Sequence, residues 1–327
     1  MKHFLHILLL ILLALPAFSQ QRTLWSQHIF NDFVINPAIA GAKDYVPLHI
    51  AVRRQWMGIK DAPVSQAISG HGNLGYNLGI GGLIINEVSG PSRRTGLDIS
   101  LAYHLRLTQG SKHHGPAKIL SFGMAASLSQ FKIDVTKLTT YVPGDNGIND
   151  GYTNDLLPDM SLGMYYHDGN RYYAGFSVHN IVESKTDLYS IISDVTNPLE
   201  RTYYLMGGYN WVASDMLTMQ PSLLFRMIDA TPIQFDFQYR FLYKNKHWFT
   251  LGYRHLDAVI VGAGFQVNVF RFGYSYDVVL SAIRQHSSGS HEIALTIMLF
   301  DDHIKSIGRP GDRIYRNREF KPVIRDF

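Results

Sequence analysis

Between Ala258 and Asp277 apolar residues alternate with small or polar ones at a period of two. Val259, Val261, Ala263, Phe265 and Val267 alternate with Ile260, Gly262, Gly264, Gln266 and Asn268. After a turn, Phe270, Phe272, Tyr274 and Tyr276 alternate with Arg271, Gly273, Ser275 and Asp277. Successive side chains on a strand point to opposite faces, so this spacing specifies strands with one apolar and one polar face. The pattern recurs in Thr95–Leu107, with Leu97, Ile99, Leu101, Tyr103 and Leu105 against Asp98, Ser100, Ala102, His104 and Arg106. It recurs again where Phe235, Phe237, Tyr239 and Phe241 face away from Gln234, Asp236, Gln238 and Arg240. A soluble sandwich turns the polar face outward. A transmembrane barrel turns the apolar face to lipid and the polar face to its lumen.

The rest of the sequence discriminates between these two. Met1–Ser19 has the form of a secretory signal peptide: Lys2, then the apolar run Ile7–Leu15, then Ala17-Phe18-Ser19 as a cleavage site before Gln20. After it, no apolar run reaches the ~18–20 residues of a spanning helix. There is no cysteine, which excludes disulfides, thiolate metal sites and a lipidated N-terminal Cys. Lys and Arg are scattered, with no run that tracks phosphates, so no nucleic-acid partner is expected.

Fourteen strands are predicted: Pro47–Trp56, Val64–Asn73, Tyr76–Asn86, Thr95–Leu107, Ala117–Phe131, Pro158–His167, Arg171–Asn180, Arg201–Trp211, Met216–Met227, Pro232–Leu242, His247–His255, Ala258–Val267, Val269–Val278 and His291–Phe300. The longest connections follow odd-numbered strands: Glu87–Arg94, Lys132–Leu157, Ile181–Glu200 and Val279–Ser290. Connections after even strands are short, as at Asp168-Gly169-Asn170, with Thr108–Pro116 the exception. A soluble sandwich has no reason to sort its loops by parity, whereas bacterial outer-membrane barrels have short periplasmic turns and longer extracellular loops.

The expected fold is therefore an all-β transmembrane antiparallel barrel of about 14 strands in an outer membrane, in contact with its lipid. Its expected divisions are a signal peptide (1–19), an N-terminal periplasmic or plug-like segment (20–46), the barrel (47–300) and a periplasmic tail (301–327), with both termini periplasmic. Gly with isolated Asp, Arg, Gln and His suits a crowded, hydrated lumen. Trp56, Tyr103, Tyr166, Trp211 and Trp248 suit interfacial girdles. Closure is expected to leave no free strand edge.

Residues for chemistry are sparse. His71, His104, His179 and His291 lie on different strands and His113-His114 in a turn, without ligand spacing, so no metal or other cofactor is expected. Asp145–Gly151 crowds oxygen ligands but lacks the distal Glu of a calcium loop. His286, Ser287 and His291 are close in sequence, but no Gly-x-Ser-x-Gly elbow accompanies them, and no enzyme is expected.

Four segments, in order, resemble the PorP/SprF family of type IX secretion outer-membrane proteins of Bacteroidetes. They are Trp25–Asn31 with Ile35–Gly41, then Arg53–Ile59 with Ala62-Pro63, Gln66 and Ser69–His71, then Gly79–Asn86 with Gly90-Pro91, and finally Tyr274–Asp277 with Ser288–Ile293. The resemblance implies a barrel that assists secretion or cell-surface anchoring of a specific partner through the partner's C-terminal sorting domain. It also implies periplasmic, cell-wall-associated and type IX secretion components as further partners. It brings no catalytic residues. The signature positions, structural or partner-contacting, are Asn36, Pro37, Gly41, Arg54, Gln55, Trp56, Gly58, Pro63, Gln66, His71, Gly90, Pro91, Tyr276, Asp277, Gly289, His291 and Glu292. A passive or substrate-specific porin is the alternative from another class, and conductance separates the two.

Overall fold

The computed structural model describes residues 23–108, 117–137, 152–169, 171–186, 197–228 and 231–300. Fourteen antiparallel strands follow one another around a ring: β1 (Val46–Arg54), β2 (Val64–Gly75), β3 (Leu78–Ser89), β4 (Ser92–Arg106), β5 (Lys118–Asp134), β6 (Tyr152–Asp168), β7 (Tyr172–His179), β8 (Thr202–Tyr209), β9 (Leu217–Ile228), β10 (Gln234–Tyr243), β11 (His247–Arg254), β12 (Ala258–Val267), β13 (Phe270–Val279) and β14 (Ser290–Leu299). The ring closes where β1 pairs with β14, from Val46 opposite Leu299 to Arg54 opposite His291. No helix among the described residues is long and apolar enough to cross a membrane.

The alternation turns the barrel inside out relative to a soluble protein. On β4, Leu97, Ile99 and Leu101 are 43–53 % exposed on the outside. Their neighbours Asp98, Ser100 and Ala102 are 3–6 % exposed on the inside. Ile84, Phe122, Leu162, Phe176, Leu205, Phe237, Leu251, Phe272 and Ile293 continue the outer apolar surface. Such a surface is stable only against lipid, because a soluble monomer rarely exposes apolar patches beyond a few hundred Å².

Call the end where β1 begins and β14 finishes proximal, and the other distal. Proximal connections include 76–77, 169–171, 244–246 and 268–269. Tyr76-Asn77 and Lys244-Asn245 have positive φ at both positions, the type I′ geometry whose twist suits a two-residue hairpin. The distal end carries, among the described residues, 55–63, 135–137, 180–186, 197–201 and 280–289.

Strand ends depart from the expectation in an informative way. Glu87–Arg94 is no long loop: β3 and β4 run on to Ser89 and Ser92 around a two-residue turn at Gly90-Pro91. Polar residues there stay in the ladder because they satisfy one another. Arg93 Nε donates to Asn86 Oδ1 at 2.8 Å, Arg94 lies 3.6 Å from Glu87, and the Arg94 guanidinium sits over the Phe131 ring. β5 and β6 likewise run on to Asp134 and back to Tyr152, through Pro158.

Proline lacks the N–H a central strand needs, so it is tolerated only where that side of the strand has no ladder. That condition holds here. β7 pairs with β6 only from Leu162 to Asp168, and beyond it residues 181–184 meet β6 through Met160 O and Pro158 O without a ladder of the β7 kind among the described residues. Residues 138–151, 187–196, 109–116 and the tail 301–327, which carry much of the expected loop pattern, lie outside the described residues.

Candidate functional site: the filled lumen and its charged latch

Residues 23–45, which precede β1, thread the barrel from the distal to the proximal end. The described chain begins with Thr23 at the distal ends of β2 and β3: its N–H donates to Glu87 Oε1 at 3.2 Å and its hydroxyl meets Ser65 Oγ at 2.6 Å. β14 finishes at the other end, so Thr23 and Phe300 lie toward opposite mouths. The segment is held in the lumen at three places.

The distal hold is ionic. Five inner-face charges on five strands, Arg53, Asp236, Arg254, Asp277 and Glu292, converge on Ser26 and Gln27, and all are buried. The Glu292 carboxylate accepts the consecutive N–H groups of Ser26 (2.7 Å) and Gln27 (2.9 Å). Asp277 Oδ2 accepts from Ser26 Oγ (2.7 Å), Arg53 Nη2 (2.6 Å) and Arg254 Nη1 (3.1 Å). Arg254 Nε reaches both Asp236 oxygens at 2.9 and 3.1 Å, and Gln238 Nε2 donates to Ser26 O at 2.9 Å. Charges taken out of water are costly unless paired and hydrogen-bonded, and here the segment's own backbone supplies two of the donors, while Arg53 Nε and Asp277 Oδ1 have no hydrogen-bond partner among the described residues. His28, next in the segment, is held below the ordinary histidine value by burial.

The middle hold is apolar. Phe33, Ile35, Ala38, Ile39 and Ala40 pack against Ala67, Leu83, Ile85, Ala102, Tyr165, Tyr173, Met206 and Leu224 of the wall, a core of the kind found in soluble domains. Phe30 lies against Trp248, ring centres 4.7 Å apart, with Arg240 over its other side at 4.6 Å. Trp248 is thus a lumen residue rather than part of an interfacial girdle, and the expected hydrated lumen is occupied by protein.

The proximal hold is backbone contact. Asn36 caps the 3₁₀ turn Pro37–Ile39, its Oδ1 accepting Ala38 N–H at 2.9 Å, while its Nδ2 donates to Met164 O (2.9 Å) and Phe176 O (3.3 Å) of the wall. His71 Nδ1 accepts Gly41 N–H at 3.0 Å, and His104 Nε2 meets Ala40 O at 3.0 Å. Such closeness needs bare wall. A Cβ on Gly79 would lie 1.9 Å from Ala40 O, and one on Gly163 would lie 2.0 Å from Asn36 Oδ1. Asn36→Ala leaves one segment N–H and two wall carbonyls without their partner, at about 1–3 kcal/mol per buried group. We expect loss of hydrogen-exchange protection over 33–41 with the barrel strands still protected; unchanged protection would show that Asn36 is not what holds the turn.

The signature residues fall into four places. Asn36, Pro37, Gly41 and His71 form the proximal hold, and Asp277 and Glu292 the latch. Gln55, Trp56, Gly58, Pro63, Gly90, Pro91 and Gly289 form the distal rim, where Met57 and Gly289–Ser288 exchange backbone bonds at 2.7 Å across the β1–β14 seam. Trp56, Gly58, Gly90 and Gly289 have positive φ there. Arg54, Gln66, Tyr276 and His291 lie on the outer wall, where Gln66 Oε1 accepts from Asn86 Nδ2 at 3.0 Å and Tyr276 bonds to Ser288 O. Among the described residues no three His, Asp or Glu converge on a metal position. The Asp145–Gly151 loop lies outside the described residues.

Asp236 and Arg254 were not singled out as site residues by sequence, and Arg53 only as the start of the signature segment Arg53–Ile59. The available signal was one isolated charge on the inner face of each of several strands, near one end.

The family model described as type IX secretion system membrane protein PorP/SprF matches residues 17–297, which includes both the threaded segment and the barrel. The chain belongs to the PorP/SprF family. In this PorP/SprF protein Ser26, Gln27, Arg53, Asp277 and Glu292 of the latch and Asn36, Gly41 and His71 of the proximal hold lie in the segments that carried the resemblance. No curated protein matches the chain. Among solved structures it is similar to the Ralstonia pickettii toluene transporter TbuX (12 % identity, 82 % of this chain and 93 % of that one, TM-score 0.48). It is also similar to a Pseudomonas aeruginosa FadL homologue (9 % identity, 83 % and 94 %, TM-score 0.48). The CymD monoaromatic hydrocarbon channel is a further similar barrel (12 % identity, 88 % and 97 %, TM-score 0.46).

Proposed function

We propose that this barrel works in type IX secretion as a closed outer-membrane docking and anchoring component, without chemistry of its own. In this reading its distal end faces the outside, and it assists the secretion or surface retention of one partner protein through the partner's C-terminal sorting domain. Cell-wall-associated and other type IX components contact it from the periplasm. The observation that carries the reading is the filled lumen: a secretion-family barrel whose bore holds 23 residues of its own chain, residues 23–45, in three kinds of contact, supports docking over conduction. The porin alternative has no comparable support. Long connections on a rigid barrel are where binding specificity is carried, which favours 135–151 and 180–201 as partner contacts.

The test is recovery of the tagged barrel from its native outer membrane in mild detergent, with conductance measured on the same preparation. The expected result is a stoichiometric secreted partner and little current. A barrel recovered alone, conducting steadily, would replace this reading with the porin.

A further inference from the structure

We infer that the outer wall beside the β1–β14 seam binds the phosphorylated sugar headgroup of an outer-leaflet glycolipid. The inference rests on the orientation proposed above, with the distal end outside.

Four signature residues, Arg54, Gln66, Tyr276 and His291, belong to neither the latch nor the proximal hold. All four stand on the outer face, beside Val52, Ile68 and Ile293, which meet hydrocarbon. On each of β1 to β4 that face changes character within two residues: Val52 to Arg54, Ile68 to Gln66, Ile84 to Asn86 and Leu97 to Thr95. On β4 the apolar outer positions run from Leu97 to Leu105, close to the ~9–11 residues of a tilted spanning strand. The change therefore marks the edge of the hydrocarbon. The far wall has none: Phe225, Phe235, Tyr253 and Val259 stay aromatic or apolar toward the distal strand ends, as an interfacial girdle does.

The polar positions are tied to one another. Asn86 Nδ2 donates to Gln66 Oε1 at 3.0 Å, and Asn86 Oδ1 accepts from Arg93 Nε at 2.8 Å and from the Thr95 hydroxyl at 3.4 Å. Across the seam His291 lies opposite Arg54, and the Tyr274 hydroxyl meets His291 Nδ1 at 2.7 Å. Arg54 and Arg93 share one cross-strand row through Val64 and Val88. Three strand spacings, about 14 Å, separate their backbones. Arg54, Gln66 and Arg93 are exposed, and no carboxylate stands on the outer face of β13, β14 or β1 to β4.

Two guanidinium groups with amides and hydroxyls between them suit phosphates carried on a sugar frame. Guanidinium pairs with phosphate in a fixed fork, and the amides and hydroxyls match sugar hydroxyls. Below the row, Gly70 and Gly82 face each other on the outer wall. A Cβ on Gly82 would meet only Asp98 O, at 3.9 Å, so the wall is bare there between Leu48 and Ile99 and leaves a shallow channel for an acyl chain.

The test is titration of the purified barrel in mild detergent with diphosphoryl lipid A, read by native mass spectrometry, with phosphatidylglycerol as the comparison lipid. Diphosphoryl lipid A is expected to bind at one site and phosphatidylglycerol at least tenfold more weakly. Arg54→Gln and Arg93→Gln should each weaken lipid A binding about tenfold, the effect of one lost charge-assisted pair. Lys244→Gln, at the proximal end, should leave it unchanged, and heat-modifiable mobility should show all barrels folded. Equal binding of the two lipids, or arginine variants that bind lipid A as wild type does, would overturn the site. If those variants instead lose a co-purifying protein, the row serves a protein partner. The chain has no cysteine, so Lys60→Cys places a single thiol in the exposed loop after β1. An impermeant maleimide is expected to label it on intact cells, and labelling only after permeabilisation would overturn the outer-leaflet occupant. A barrel that binds lipid A selectively but brings down no protein would remove the docking role and leave this site standing.

Discussion

Removing residues 23–41 should convert the barrel from an electrically silent protein into a conducting pore. Those residues supply the apolar surface against which Ala67, Leu83, Ala102, Tyr165 and Leu224 are buried, and the backbone groups that Glu292, His71 and Ser177 bond. Without them the inner face, apolar at its middle and polar and charged toward its ends, loses the described segment that fills the bore. A barrel of this strand number lies between small filled barrels and open porins of 16–18 strands, wide enough for water once empty. Single-channel recordings should change from a flat baseline to stepwise openings. A milder route gives the same answer if the deletion hinders assembly: Gly163→Val sets a branched side chain where even a Cβ would lie 2.0 Å from Asn36 Oδ1, and should drive the turn at Asn36-Pro37 off the wall. Silent deletion and glycine variants, both folded, would mean that something other than this segment closes the bore.

The second large effect is expected at Arg254. Its guanidinium is 1 % exposed, bonds Asp236 twice, touches Asp277 at 3.1 Å and lies 3.6 Å from Asp257. Arg254→Ala leaves Asp236 and Asp277 inside a protein-filled lumen with a cation removed, the situation in which breaking a buried pair costs about 3–5 kcal/mol. Removing charge in a balanced way should cost less, so Arg254→Met with Asp236→Leu is expected to recover part of that loss. The urea midpoint of the unfolded-to-heat-modified transition reads both. A single variant within about 0.5 kcal/mol of wild type would show that the latch is solvated and contributes little.

The period-two alternation was enough to read fourteen strands and a membrane barrel, because which face a side chain takes is set locally by the strand itself. Strand ends were not local. Glu87, Arg93 and Arg94 have the composition of a loop, and only their cross-strand partners Asn86, Phe131 and one another keep them paired. Pro158 reads as a strand start until its N–H side, without a ladder among the described residues, is seen. The same limit applies to the site. Asn36, Asp277 and Glu292 were visible as parts of a family pattern, but their roles depend on partners more than a hundred residues away, as with Asn36 and Met164. Trp248 was misplaced for the same reason: an aromatic near a strand end fits a girdle or a lumen equally, and only parity against Phe249 assigns it inward.

The latch also orders the protein's assembly in time. Ser26 and Gln27 are among the earliest residues of the described chain, and Glu292 sits on the last strand, 266 positions from Ser26. Their shared partners lie on β1, β10, β11, β13 and β14, so the ionic cluster is incomplete until the final strand has been laid down beside the first. The segment that precedes the first strand cannot be enclosed by a ring that is already shut without passing through one of its mouths. Seating of the segment and sealing of the seam are therefore coupled steps, late and of very high contact order. A chain truncated before Ser290 lacks both the seam strand and the carboxylate that receives Ser26 and Gln27, so a prematurely ended product exposes both defects at once to the machinery that inserts or degrades it.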